Sequence, residues 1–325
     1  MTDIVGLVLP FFGLILVGYL TARFGKKPSG DGAGDAMGWL NIFIIYLALP
    51  ALFFKLVSRT PIEQLTRFDF VLASIAATYT VFLLVFAVGY VIRRNSLAEC
   101  TIQGLAGAYG NIGYMGPGLA LLALGEPAAV PVALIFCFEN VLHFIVAPAM
   151  MSRNGGETQA PARIVLQIGR KILFHPFILS TLAGVLAASL SFQPPVAIQR
   201  LIDYLAQAAA PCALFAMGVT LALRPLKRIP REIGYIVPAK LVLHPALMYL
   251  VLSATGNFDP VWVKTAVLLA SLPTATNVFV IGQQYGVWQE RASATILVTT
   301  TLSVATVTFL LYLLSSGFLP ADLFP

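Results

Sequence analysis

The run QGLAGAYGNIGYMGPGLALLALG, residues 103–125, places Gly104, Gly107, Gly110, Asn111, Gly113, Gly116, Pro117 and Gly118 within fifteen positions of an otherwise apolar segment. In a helix interior each glycine costs about 1 kcal/mol relative to alanine, and a proline about 3 kcal/mol. So dense a set of breakers predicts a helix that unwinds near its middle. A second run, LASLPTATNVFVIG at residues 269–282, sets Pro273-Thr274-Ala275-Thr276-Asn277 between apolar flanks and predicts the same break. At membrane depth, unwound backbone is tolerated only against protein or a wet cavity, because its N–H and C=O groups need partners. Gly110, Asn111, Gly113, Pro117, Pro273, Thr274, Thr276 and Asn277 are therefore the candidate binding residues. Their free backbone groups, helix N-termini and neutral side chains suit an anion.

That both runs lie in a membrane follows from composition. Lys and Arg number 20 and Asp and Glu 14 in 325 residues, about 10% together, while 58% of residues are hydrophobic and mean hydropathy is +0.87. Soluble domains carry about 25% charged residues, and so bare a surface would aggregate in water. The chain reads as an all-α polytopic membrane protein. At about 20 residues per span, ten helices fit: roughly 4–22, 37–57, 69–92, 98–124, 130–151, 166–190, 197–222, 233–254, 260–285 and 290–316. The first reads as a retained span rather than a signal peptide, since no basic segment precedes it.

Charge fixes the orientation. Alternating loops gather Arg23, Lys26, Lys27, Arg93, Arg94, Arg153, Arg163, Arg170, Lys171, Arg224, Lys227, Arg228, Arg231 and Arg291 on one side. The other side holds Lys55, Arg59, Arg67, Arg200 and Lys264. Fourteen against five makes the first side cytoplasmic, with both termini on the outer side of the cytoplasmic (inner) membrane. The net charge of +6 forms no continuous basic face, so no nucleic-acid partner is expected. Cys100, Cys137 and Cys212 lack disulfide or metal spacing. No nucleotide, metal or nucleophile motif appears, so the chain reads as no enzyme, with no cofactor and no metal.

The halves repeat. Pro10, Phe11, Gly18 and Leu20 recur as Pro176, Phe177, Gly184 and Leu186, each 166 residues on. Pro50, Phe54 and Gly125 recur 161 residues on as Pro211, Phe215 and Gly286. Residues 1–151 form one five-helix repeat, 152–165 a cytoplasmic linker and 166–325 the second repeat. Five is odd, so the second copy enters the membrane inverted, as in secondary transporters, whose sites lie at interrupted helices in corresponding positions. Pro50 and Pro211 are candidate hinges of the scaffold.

Ionisable groups at depth are functional candidates. Glu139 and His143, with Asn140 between them, lie mid-way along the fifth helix, and Lys240 and His244 share one face of the eighth. Glu139, Lys240 and His143 are the coupling candidates. Lys240 can attract the anion, pair with Glu139 or extend its long stem to the neighbouring basic loop; His244 reads as a packing residue. Asp203 near Arg200 reads as an acid at a helix N-terminus.

The stretches Gly110-Asn111-Ile112-Gly113-Tyr114-Met115-Gly116-Pro117, Leu272-Pro273-Thr274-Ala275-Thr276-Asn277 through Gly286, Leu49-Pro50-Ala51-Leu52-Phe53-Phe54 and Ala213-Leu214-Phe215-Ala216-Met217-Gly218 resemble, over the whole chain, the auxin efflux carrier family. The resemblance implies a ten-helix fold shared with bile-acid symporters. It also implies a scaffold domain (helices 1, 2, 6 and 7), a transport domain (helices 3–5 and 8–10) with two crossing broken helices, and elevator-type alternating access. Plant members carry proline where this sequence has Gly110, and many have a long cytoplasmic loop absent here. The chain is similar to bacterial relatives that carry organic acids such as malonate or malate. A homodimer in lipid, carrying a small organic anion with proton coupling, is expected. The alternative is a sodium-coupled organic-anion symporter of the bile-acid type.

Overall fold

In lipid the backbone must satisfy its own hydrogen bonds, which leaves helices as the solution for apolar runs of this length. The computed structural model describes residues 2–25, 33–151, 169–170, 174–223, 229–256, 258–316, 318, 320 and 323, and among these it is helical, with a single isolated β-bridge. In chain order the main helices are α1 (Thr2–Phe24), α2 (Met37–Ser58), α3 (Phe68–Ala87), α4 (Leu97–Ala108), α5 (Ile112–Leu124) and α6 (Ala129–Met151). They continue as α7 (Pro176–Ser189), α8 (Val196–Leu223), α9 (Ile233–Thr255), α10 (Pro260–Ser271), α11 (Thr276–Gln284) and α12 (Gln289–Ser315). The 152–165 linker lies outside the described residues.

Among the described residues, six helical stretches are long and apolar enough to cross a membrane by themselves: Met37–Ser58, Ile62–Ile92, Glu126–Met151, Val196–Leu223, Ile233–Thr255 and Gln289–Ser315. Four shorter apolar ones accompany them, Leu9–Phe24, Ile112–Leu124, Pro176–Ser189 and Pro260–Ser271. Two of the ten expected spans are interrupted, where the sequence predicts breaks. Residues 98–124 divide into α4 and α5, and 260–285 into α10 and α11. Leu72, Val91, Phe174 and Tyr204 are exposed, a coat suited to lipid rather than water.

Local chemistry sets the ends. The Ser96 hydroxyl accepts from the Glu99 N–H at 3.2 Å to open α4, and the Asp259 carboxylate accepts from the Val261 N–H at 2.7 Å, ahead of Pro260, to open α10. Gly125 (φ +79°) and Gly286 (φ +68°) follow α5 and α11 in the left-handed region that glycine adopts freely. Inside α2 and α9 the helix widens to a π turn, at Ile44–Ala48 and Ala239–Leu243. Each turn lies just before a proline, Pro50 or Pro245, whose ring crowds the carbonyl four residues back and lacks an N–H. A wider turn relieves both defects.

The chain divides into two units. The first comprises residues 1–67, 113–137 and 174–225. In it α1 and α8 meet backbone to backbone: a Cβ on Gly18 would lie 2.2 Å from the Phe215 carbonyl oxygen, and one on Gly218 only 1.9 Å from that of Ile15. Phe53, fully buried, stacks on Phe136 at 4.5 Å. Asp203 pairs with Lys55 at 2.6 Å and lies 3.8 Å from Arg59, so its charge answers α2 rather than Arg200. Pro211 lies inside α8. Gly218→Val is expected to destabilise the protein by about 3 kcal/mol, because overpacking against backbone cannot relax. Gly13→Ala, on a face of α1 with open space around it, is the matched control, and melting in detergent compares them.

The second unit comprises residues 68–112, 138–173 and 226–325. Its apolar centre includes Phe82, Ile102, Leu105, Val278 and Trp288. Beside it lie fully or nearly fully buried Thr78, Glu139, His143, Lys240 and His244.

Candidate functional site

The two broken segments cross in the second unit. α4 ends at Ala108 and the chain runs extended through Tyr109 (φ −76°, ψ 97°); α10 ends at Ser271 and runs extended through Leu272 (φ −63°, ψ 150°). These stretches form the antiparallel bridge Gly110–Thr274. The Asn111 N–H donates to the Pro273 carbonyl at 2.8 Å, and the Ala275 N–H donates to the Tyr109 carbonyl at 2.9 Å. The main-chain groups freed by unwinding thus answer one another.

The structure brings six of the eight expected residues together. Gly110, Asn111, Pro273, Thr274, Thr276 and Asn277 all lie at the crossing or one turn from it. Thr274, fully buried, donates its hydroxyl to the Ala106 carbonyl at 2.7 Å, and its N–H donates to the Thr299 hydroxyl at 3.2 Å. Asn111 is 3% exposed and Asn277 is half-buried in the first turn of α11. Gly113 and Pro117 belong to the first unit, within α5, where Gly113 packs against the Phe136 ring. The bridge draws on the flanking N–H groups. Its two hydrogen bonds do not use the N–H of residue 110. Glycine also leaves space: a Cβ at residue 110 would stand 3.3 Å from Lys240 Nζ.

Lys240 does not reach a basic loop. It is fully buried in the π turn of α9, and its ammonium donates to the Ala270 carbonyl at 2.6 Å. That carbonyl belongs to the last turn of α10, whose final carbonyls lack helical partners and carry partial negative charge. Lys240 Nζ also lies 2.9 Å from His244 Nδ1. From His244 the contacts continue: Nε2 is 3.0 Å from Thr78 Oγ1, which donates to Glu139 Oε1 at 2.7 Å. Lys240 and Glu139 therefore communicate through two side chains rather than as a direct pair. His244, expected as a packing residue, is instead hydrogen-bonded at both ring nitrogens.

His143 lies off this chain. Its Nδ1 is 3.1 Å from the Tyr79 hydroxyl, and its ring lies 4.1 Å from that of Tyr109. Tyr109 was not legible as a site residue, yet it links three elements. Its hydroxyl donates to Asn140 Oδ1 on α6 and accepts from Asn277 Nδ2 at 2.7 Å, while its carbonyl serves the crossing. Adjacency to the Gly110-Asn111 break was the available signal for Tyr109. Thr78 had none, because most Thr hydroxyls here bond back to their own helix, as Thr80 does to the Ala76 carbonyl at 2.7 Å.

Comparison with known proteins adds the lineage. Residues 3–311 match the sequence model described as "Membrane transport protein". The chain is 77% identical over 325 residues, all of both chains, to the "Putative malonate transporter" of Rhizobium meliloti (strain 1021). It is 22% identical over 321 residues to the "Uncharacterized transporter YfdV" of Escherichia coli (strain K12), covering 96% of this chain and 98% of that one. To "Auxin efflux carrier component 1" of Arabidopsis thaliana it is 28% identical over 142 residues, 41% of this chain and 22% of the plant protein. A helical protein with several membrane-length apolar helices, matched over nearly its whole length by a transporter model, is a multi-pass membrane transporter, and the chain belongs to the auxin efflux carrier family.

Proposed function

We propose that this protein is a secondary active carrier of small organic anions, mono- or dicarboxylates, across the cytoplasmic (inner) membrane. The observation that carries the reading is the crossing itself, with a buried ammonium beside it. Unwound backbone at Gly110 and Thr274, the N-terminus of α11, and the Asn111, Thr276 and Asn277 side chains offer donors to a carboxylate. Lys240, the one buried lysine or arginine among the described residues, supplies a positive charge beside Gly110. Interrupted segments in two corresponding places are the usual pointer to a carrier's site. The full-length relative named for malonate supports a dicarboxylate among the substrates.

In this reading the chain has ten spans in two inverted five-helix repeats, both termini outside, and works as a homodimer. Helices 3–5 and 8–10 form the transport domain and move in an elevator manner, with the bulk of helices 1, 2, 6 and 7 as scaffold and Pro50 and Pro211 as its hinges. Gly113 and Pro117 shape the α5 side of the break. Coupling to sodium is disfavoured by one contact. The α10 carbonyl end, where unwound backbone and a helix C-terminus would hold a cation, already receives the Lys240 ammonium.

Reconstituted liposomes offered a panel of labelled mono- and dicarboxylates test the proposal. Saturable uptake of at least one acid, unchanged when potassium replaces sodium, is expected. Uptake of none, or strict dependence on sodium, overturns it.

A further inference from the structure

The contacts from Lys240 to Glu139 have a direction. A threonine hydroxyl carries a single proton, and Thr78 gives it to Glu139 Oε1 at 2.7 Å. Toward His244 Nε2, 3.0 Å away, Thr78 can then only accept, so Nε2 bears the hydrogen. A neutral imidazole protonated at Nε2 has a bare Nδ1, and Nδ1 is the atom facing Lys240 Nζ at 2.9 Å. Every donor therefore points the same way: ammonium to imidazole, imidazole to hydroxyl, hydroxyl to carboxylate. All four residues lie in the second unit and all are buried, Glu139 at 2% exposure and the other three at 1% or less.

Around this chain the other titratable groups are His143 on the Glu139 helix, Tyr79 from α3 and Tyr109 from the crossing. Among the described residues none of them adds a second acid to balance Lys240. Glu139 is the only buried acidic side chain among the described residues.

We propose that Glu139 is the proton-binding site of the carrier and that one proton accompanies each monoanion bound at the crossing, hydrogen malonate among them. The inference rests on the carrier reading and names its coupling ion. With Glu139 ionised, the lysine charge is compensated along the chain and the site has no net attraction for an anion. A proton taken up from solution and bound to the carboxylate leaves the Lys240 charge unbalanced beside Gly110. The organic anion then restores neutrality. Proton and anion favour each other's binding, a reciprocal coupling between two sites. With a monoanion bound, malonate entering as hydrogen malonate, the loaded unit crosses the membrane with no net charge, and so does the empty one. The half-loaded forms carry a bare charge at depth, which is costly and keeps them from crossing.

The same hydrogen bonds give a proton its route. Shifting each hydrogen one place turns His244 into its other tautomer and moves one proton from Lys240 to Glu139. No atom is gained or lost, and no charge remains on either end. Once the anion and the proton on Glu139 have both left, the ammonium at the crossing can thus be withdrawn.

The test uses the full-length protein in liposomes, with labelled malonate as the probe. Exchange of internal for external malonate, without any gradient, reports the carrier. Accumulation driven by an imposed pH gradient, acid outside, reports the coupling. Wild type is expected to do both, with internal acidification beyond that of protein-free liposomes. Glu139→Gln, whose amide can still accept from Thr78, is expected to keep saturable exchange while its gradient-driven accumulation falls to the no-gradient level. Thr78→Ala cuts the chain yet retains both charges; it supplies a second variant, with gradient-driven accumulation expected to drop at least severalfold relative to exchange. Wild type that exchanges malonate without responding to the gradient, or Glu139→Gln that still accumulates it, overturns the proton site. Wild type that exchanges neither malonate nor any acid of the panel overturns the carrier reading instead.

Discussion

Lys240→Met is expected to lower anion uptake by ~100-fold or more, the scale of removing one partner from a buried, hydrogen-bonded charge pair. Two effects combine. The anion loses the full positive charge beside the crossing, and the Ala270 carbonyl loses its donor in the last turn of α10. The Glu139 carboxylate, 2% exposed, is also left without a compensating charge, which costs about 3–5 kcal/mol in stability. Glu139→Gln combined with Lys240→Met removes that charge as well. The double variant should regain most of its thermal stability in detergent but none of its uptake. Uptake retained by the single Lys240→Met variant with an unchanged half-saturation concentration would show that Lys240 does not serve the anion.

Asn111→Ala together with Asn277→Ala is the second large effect. Each deletion removes a neutral amide next to the crossing while leaving the main-chain bonds of Asn111 and Ala275 in place. An unmade hydrogen bond at a buried site costs about 1–3 kcal/mol. Each single change should therefore weaken apparent affinity by ~10–100-fold, and the pair should abolish saturable uptake over the accessible concentration range. Asn277→Ala also releases the Tyr109 hydroxyl. Tyr109→Phe separates the two contributions: a milder loss of affinity is expected, since Asn277 keeps its amide and loses only its orientation. Saturable uptake intact in the double variant would place the substrate elsewhere.

The breaks themselves were legible from sequence because their cause is local. Glycine and proline weaken a helix interior through their own backbone. Their density from Gly104 to Gly118, and Pro273, therefore announced the interruptions without knowledge of any neighbour, although Pro117 and Pro211 stand inside helices. Helix ends were legible for a similar reason; Val196–Leu223 stands where 197–222 was expected. The partners of Glu139 and Lys240 were not legible. Thr78 and His244 stand 166 residues apart, and nothing in either segment states that the two will touch. Lys240 misled for a physical reason as well. A lysine near a basic loop in a membrane helix ordinarily extends to water. The π turn at Ala239–Leu243 coincides with the residue and sets it facing the α10 carbonyls instead. Pro245 was in view, but a proline alone does not state whether the preceding backbone kinks or widens to a π turn.

The bridge at Gly110 and Thr274 has a consequence for how such a carrier can change over generations. Its two hydrogen bonds join main-chain atoms only, so no side chain has to be inherited for the crossing to persist; any sequence that still unwinds at both places can form it. In the proposed reading specificity is set elsewhere, by amides and hydroxyls in the flanking turns and by one ammonium on a neighbouring helix. Frame and chemistry can therefore drift separately. A descendant could exchange one acid for another by small steps at Asn111, Thr276 or Asn277 without passing through an unfolded ancestor.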